Sequence, residues 1–178
     1  MVESKLSRVE REVRKLLTEA GVKAPPVPVK KLARMQGAKV RFEPYEDDDQ
    51  GLSGILFREG DKKIIGVNSL HAPVRQRFTI AHEIGHLVLH DEDLFVDGAA
   101  YTISRDRKSS RAIDQKEIDA NQFAACLLMP KGFLAQRLEK GKAVALSKLY
   151  ELAEEFRVSA EAMTFRLTNL NYAIDQTR

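Results

Sequence analysis

Pro73-Val74-Arg75-Gln76-Arg77-Phe78-Thr79-Ile80-Ala81-His82-Glu83-Ile84-Gly85-His86-Leu87-Val88-Leu89-His90 decides how the rest of the chain is read. Phe78, Ile80, Ala81, Ile84, Gly85, Leu87, Val88 and Leu89 place apolar groups over most of a helical circumference, the pattern of a helix buried in the middle of a domain. Its polar exceptions, His82, Glu83 and His86, spell H-E-x-x-H. Four residues at about 100° each bring the second imidazole to within roughly 40° of the first, about 6 Å along the axis, so both can face one cation. Zinc suits such a pair, and it takes a third protein ligand and a water. Glu83, offset by about 100° from His82, is placed to take a proton from that water rather than to ligate. Three polar groups on an otherwise apolar helix are costly to desolvate unless something pairs with them, which a cation does.

A third ligand must come from elsewhere. His90 lies eight residues after His82, about 12 Å along the same helix, and Leu87-Val88-Leu89 offers no break that would fold it back, so it reads as a helix-end or supporting residue. Downstream, Glu117-Ile118-Asp119-Ala120-Asn121 sets Glu117 and Asn121 one turn apart on a face otherwise lined by Ala120, Ala124 and Leu128. Glu117 is the stronger candidate ligand, with Asp114 and Asp119 as rivals. Asn121 is placed to accept a hydrogen bond from a ligand imidazole and fix its tautomer.

Around these motifs the periodicity predicts helices over 3–20, 29–36, 73–90, 114–129, 133–139, 146–156 and 160–170, with Gly21, Gly37 and Pro130 as stops. Residues 39–42, 52–57 and 63–67 alternate or are β-branched, and Glu59-Gly60-Asp61 supplies a hairpin turn, so a small antiparallel sheet of about three strands is expected. Residues 91–112 read as a long loop. The last two helices, joined by Arg157-Val158-Ser159, form a helix-turn-helix-like pair.

Composition bounds the answer. With 178 residues, 43% hydrophobic, 31% charged and a single cysteine, the chain is an α+β globular protein large enough for its own core and with no intramolecular disulfide. Cys126, in an apolar helical stretch, reads as a small core residue. No run of about 18 apolar residues and no signal-like start is present, so a cytoplasmic location and no membrane partner are expected. Lys and Arg outnumber Asp and Glu by 11 to 5 over residues 1–45, which reads mainly as a solvated basic face.

Arg77-Phe78-Thr79-Ile80-Ala81-His82-Glu83-Ile84-Gly85-His86, followed after a loop by Glu117-Ile118-Asp119-Ala120-Asn121-Gln122-Phe123-Ala124-Ala125-Cys126-Leu127-Leu128-Met129-Pro130, resembles the ImmA/IrrE family of metallopeptidases. The resemblance covers roughly residues 5–172 and departs at Cys126, where the family usually has a small or acidic residue. It implies a mostly helical, zincin-like metallopeptidase core over 1–130 and a helix-turn-helix-like region packed on it over 131–178. It further implies a gluzincin-like site with His82, His86 and Glu117 as ligands of one divalent metal, zinc or else manganese, and Glu83 as base. The implied substrate is a helix-turn-helix transcriptional repressor, cut once to relieve repression of stress-response or mobile-element genes.

On this reading the strand 63–68 is expected to pair with substrate backbone as a sheet edge, with Asn68 as a substrate contact. Tyr101, His90 and His71 are candidates to stabilise the tetrahedral intermediate. The competing reading is a DNA-binding or repressor-sequestering regulator with a structural metal, resting on a pI near 9.0 and the helix pair at the C-terminal side. Against it, residues 160–170 hold one basic residue, Arg166, and one acidic, Glu161, too little for phosphate and base contacts, so no sequence-specific DNA binding is expected.

Overall fold

In a computed structural model the described residues are 7–45, 54–90, 94–97 and 107–175, with only backbone described over 94–97 and 107–114. The chain opens with α1 (Arg8–Glu19), where the Ser7 hydroxyl accepts from Glu10 N–H and the Glu10 carboxylate accepts from Ser7 N–H. This reciprocal cap satisfies two otherwise orphaned donors. Val9, Val13, Leu16 and Leu17, at three-four spacing, are its buried face. The proline-rich bend leads to α2 (Val29–Met35) and into β1 (Ala38–Glu43).

Three further strands, β2 (Gly54–Glu59), β3 (Lys62–Asn68) and β4 (Leu94–Asp97), complete a sheet of order β1-β3-β2-β4. The β2-β3 hairpin is antiparallel as the turn at Gly60 requires, with Gly54 opposite Val67. β1, however, runs parallel to β3, with Val40 opposite Ile65, and β4 adds to the outer side of β2. The sheet is therefore mixed and four-stranded, not a three-stranded antiparallel one. β3 lies between β1 and β2, so its backbone groups are already paired on both sides and it cannot serve as the edge that captures an extended peptide.

Between β3 and β4 runs α3 (Pro73–Leu89), starting with Pro at its first turn and buried continuously from Thr79 to His86. The second long helix, α4 (Arg107–Leu128), begins well before the sequence pattern becomes periodic. Behind it come α5 (Lys131–Ala135), a two-residue strand β5 (Val144–Ala145), α6 (Leu146–Phe156), α7 (Ala160–Asn169) and β6 (Ile174–Asp175), which pairs with β5 in parallel. Ser159 caps α7 by accepting from Ala162 N–H. Leu152, Phe156, Met163 and Leu167 of these last helices join the same apolar cluster as Leu56, Ile65, Ile84 and Phe123.

What fixes α3 against α4 is a small-residue crossing. A Cβ placed on Gly85 would lie 3.1 Å from the Ala120 Cα, 3.1 Å from the Phe123 Cβ and 3.3 Å from the Ala120 carbonyl oxygen. Two of those neighbours are backbone, which cannot swing away, so the helix axes approach as closely as they do only because position 85 has no side chain. Gly85→Val should therefore lower stability by about 1–3 kcal/mol through overpacking, a Tm fall of several degrees for a chain of this size. Gly132→Ala, whose added methyl meets nothing within 4 Å, should match or exceed wild type by up to about 1 kcal/mol. Thermal unfolding of both variants checks the pair.

Candidate metal centre

The α3-α4 crossing brings three donor atoms to one point. His82 Nε2 and His86 Nε2, one turn apart on α3, are 3.0 Å from each other. From α4, Glu117 Oε2 lies 3.2 Å from His82 Nε2 and Glu117 Oε1 lies 3.2 Å from His86 Nε2. Tetrahedral ligands about 2.1 Å from an ion sit roughly 3.4 Å apart, so the spacing matches a common cation with little adjustment. Among the described residues this is the one group of three His, Cys, Asp or Glu side chains whose donor atoms lie within 4.8 Å of one another. Both imidazoles are buried, whereas the Glu117 side chain keeps about a third of its surface exposed, which leaves one side of the cluster open.

Protonation suits the donor set. The His82 Nδ1–H donates to the Asn121 amide oxygen at 3.0 Å, which holds its proton on that side and leaves Nε2 as a lone pair facing His86 and Glu117. Burial pulls His86 below the ordinary imidazole value, with Glu117 opposing. Burial alone would raise the Glu117 carboxyl, but when the facing rings of His82 and His86 are protonated on Nε2 their hydrogen bonds and charge bring it down to about 2, so it stays ionised. Near neutral pH the cluster offers neutral imidazole nitrogen and ionised carboxylate oxygen, the forms that bind metal.

Glu83, fully buried, belongs to a different wall. A Cβ on Gly54 would sit 3.0 Å from a Glu83 carboxylate oxygen and 2.3 Å from the Thr79 methyl, so the first residue of β2 lies directly over Glu83 with no room for a side chain. Glu83 is thus one residue from His82 yet outside the three-donor group. His90 ends α3 as its cap residue, and its ring Nε2 donates to the carbonyl of Lys116, the residue before Glu117, at 3.3 Å. It steadies the backbone that carries the carboxylate.

Other sequence candidates fall away from the cluster. Asn68 is 1% exposed and acts as a clip: its amide donates to the Tyr45 carbonyl, while its oxygen accepts from the Tyr45 and Leu70 N–H groups. An edge-strand substrate contact at Asn68 is therefore replaced by a structural role. The backbone of His71 joins the turn before α3, donating to the Asn68 carbonyl and accepting from the Gln76 amide. Asp119 accepts from Gln115 on the exposed side of α4. Tyr101 and the Asp114 side chain lie outside the described residues. Burial raises the Cys126 thiol above its ordinary value, as befits a core residue.

Two contacts at this site carry no sequence signal. Arg58 of β2 donates to the His86 carbonyl at 2.9 Å, and Arg8 of α1 donates to the Leu89 carbonyl at 2.9 Å. Both place a cation at the C-terminal carbonyls of α3, where the helix dipole is negative. Nothing in the surroundings of Arg8 or Arg58 along the chain marks them for this.

Residues 33–168 match the family model described as the IrrE N-terminal-like domain, Peptidase M78. The chain is 34% identical over 143 residues to the radiation response metalloprotease IrrE of Deinococcus radiodurans, covering 77% of this chain and 38% of that protein. It is 32% identical over 155 residues to the protein of the same name from Deinococcus deserti, covering 78% of this chain and 52% of that one. The chain thus spans about half or less of the length of these curated relatives. In fold it is similar to a Mycobacterium tuberculosis transcriptional regulator, with a TM-score of 0.57 at 18% identity over 92% of this chain and 47% of the other.

Calorimetric titration with Zn2+ should give one site per chain. Glu117→Ala should weaken it by about 100-fold or more, Asn121→Ala by about 10 to 100-fold through the lost support of His82, and Asp119→Ala not at all. Unchanged affinity in Glu117→Ala would remove Glu117 from the ligand set.

Proposed function

This chain belongs to the IrrE N-terminal-like family, Peptidase M78, and from that premise we propose that it is a metal-dependent endopeptidase whose target is a helix-turn-helix transcriptional repressor. The observation that carries the proposal is the convergence of His82 Nε2, His86 Nε2 and a partly exposed Glu117 carboxylate, with a buried carboxylate, Glu83, beside His82 on the same helix. His82, His86 and Glu117 hold the ion in this reading, zinc before manganese because two imidazoles and one carboxylate form a familiar zinc set. The cation supplies Lewis acidity toward the scissile carbonyl and toward water.

Glu83 takes the proton of the attacking water and passes it to the amide nitrogen as the C–N bond breaks. Its burial beneath Gly54 restricts its rotamers, so the carboxylate is held in place before substrate arrives. Asn121 keeps His82 in the tautomer that presents Nε2, and His90 anchors the Lys116 carbonyl. Tyr101 is our first candidate for stabilising the tetrahedral oxyanion, ahead of His90, which is engaged with the Lys116 carbonyl, and His71, which sits in the turn before α3.

We read residues 1–130 as the catalytic core and 131–178 as a region that serves the fold and grips the repressor. The alternative, a DNA-binding or repressor-sequestering regulator with a structural metal, is disfavoured by α7. Its one basic side chain, Arg166, is 8% exposed and donates through Nε to the Met129 carbonyl at 3.0 Å, so it is not free to reach phosphate. Phe165 and Tyr150, exposed on α7 and α6, suit a protein partner better than a nucleic acid. No helix among the described residues is long and apolar enough to cross a membrane, and we place the protein in the cytoplasm with its proposed target. Relief of repression after stress or in mobile elements is the consequence we assign to the cut.

Glu83→Gln should retain the metal and lose repressor cleavage by about 100 to 10,000-fold. The wild-type protein alone should give no sequence-specific gel shift on the repressor's promoter, with any residual binding abolished as salt rises. Near-normal cleavage by Glu83→Gln removes the hydrolytic reading, and a salt-resistant specific shift favours the DNA-binding one.

A further inference from the structure

On the face of the molecule formed by α2, the start of α3 and the α6-α7 junction lies a cleft of about 760 Å3 that the proposed chemistry does not use. Lys30, Lys31, Arg34, Arg77 and Arg157 line it, against one carboxylate, Glu154. None of the five cations forms an ion pair with a carboxylate among the described residues. Surface lysines alone would be an ordinary solvated face. Two features of this cleft go beyond that.

First, two guanidinium groups are brought together with no ion pair to either among the described residues, Glu154 being the one carboxylate in the lining. Arg77, partly buried, donates through Nε to the Arg157 carbonyl at 3.2 Å and through a terminal nitrogen to the Val27 carbonyl at 3.0 Å. These bonds fix it beside Arg157, and burial together with the Arg157 charge pulls the Arg77 guanidinium below its ordinary value. An anion between them would relieve both effects. Second, Arg157 ends α6 in the left-handed conformation, φ 53° and ψ 54°, where glycine is the unstrained choice and a side chain carries a penalty. A cation stands at a position whose backbone geometry favours glycine.

The rest of the cleft has the complementary character of a nucleotide site. Phe42 is 38% exposed at its margin, with the Lys30 ammonium 4.3 Å from the ring centroid. Val29, Ile80 and Val158 supply an apolar floor. Pro73 and Val74 bring the N-terminal turn of α3 into the same space; that helix has neither a side-chain cap nor an acidic residue in its first turn. The volume falls within the range of small-molecule pockets.

We propose that this cleft binds a small molecule carrying linked phosphates, with Arg77, Arg157, Arg34 and Lys30 taking the phosphates and Phe42 offering its face to a base; Lys31 lends charge while its ammonium donates to the Ala20 carbonyl at 2.9 Å. The chemistry is the diphosphate. Its source is either a nucleoside di- or triphosphate or inorganic pyrophosphate, and Phe42 separates the two. None of the lining residues is one of the three metal-ligand candidates or Glu83.

The test is calorimetry on the full chain carrying Glu117→Gln, so that phosphate cannot be counted at the metal ligands, with ADP, ATP and pyrophosphate at about 150 mM salt. ADP should bind one per chain and weaken as salt rises. Arg157→Gly removes the cation while giving the backbone its preferred residue, so it should fold with a Tm no lower than its parent and bind ADP at least about tenfold more weakly. Lys30→Gln provides a second, exposed variant that should also weaken binding. If Phe42→Ala weakens ADP but not pyrophosphate, the ligand is a nucleotide; if it weakens neither and the two bind equally, the ligand is inorganic, and both results support the diphosphate site. No binding by any of the three compounds at millimolar concentration overturns it, as does binding unchanged in both Arg157→Gly and Lys30→Gln. Binding of a ten-residue glutamate peptide in place of the phosphates also overturns it and makes the cleft a seat for an acidic protein segment.

Discussion

The close crossing of α3 and α4 is the constraint on which the candidate site depends. Glu117 reaches the two imidazole nitrogens only if its helix backbone can lie against α3, and Gly85 facing Ala120 permits that approach. The second variable residue of H-E-x-x-H is therefore not free in this fold, because it sits between the two histidine-bearing turns on the side that α4 covers. A side chain there separates the helices, and the carboxylate and the Asn121 amide move away together since both ride on α4.

The same crossing explains how so many polar groups survive inside an apolar helix. Buried imidazoles and a buried carboxylate are costly unless each finds a partner. For the imidazoles α4 delivers those partners from outside α3, Asn121 and Glu117, while Arg58 of β2 satisfies the His86 backbone carbonyl. Asn68 performs a similar service at the end of β3, tying down the chain at Tyr45 and Leu70 so that the turn into α3 is set. Hydrogen bonds thus hold the site's frame while apolar contacts through Ile80, Ile84, Phe123 and Leu127 provide most of its stability.

What the sequence disclosed follows from which interactions are local. The i, i+4 spacing of His82 and His86, the Glu117-Asn121 turn, and the apolar stripes of α1, α6 and α7 are properties of single helices, and a period of 3.6 records them. Strand neighbours are not local. Nothing in Lys39-Val40-Arg41-Phe42 states that it pairs with Ile64-Ile65-Gly66-Val67 in parallel, and nothing in β3 states that both its edges are taken. Leu94-Phe95-Val96-Asp97 is too short, between acidic residues, to stand out as a strand, and the first turns of α4 contain Lys108-Ser109-Ser110-Arg111 with no apolar face to signal a helix. Arg58, Arg8 and Gly54 act on α3 across 25 or more residues of chain, so their roles appear only in three dimensions.

Charge gives the clearest case of long-range convergence. The basic surplus over residues 1–45 reads as a solvated face when taken by itself, and for the exposed positions of α1 that reading is adequate. Folding, however, carries Lys30, Lys31 and Arg34 to the same cleft as Arg77 and Arg157, which lie 43 or more residues further along. The result is an imbalance in how α3 is terminated. At its C-terminal end the protein supplies what the dipole favours, the cations Arg58 and Arg8 on the His86 and Leu89 carbonyls. At its N-terminal end the favoured partner is an anion, yet the first turn contains none and the cleft before it is lined by five cations. A helix satisfied at one end by the protein's own charges and surrounded at the other by more of its own sign is arranged to take its counter-charge from solution.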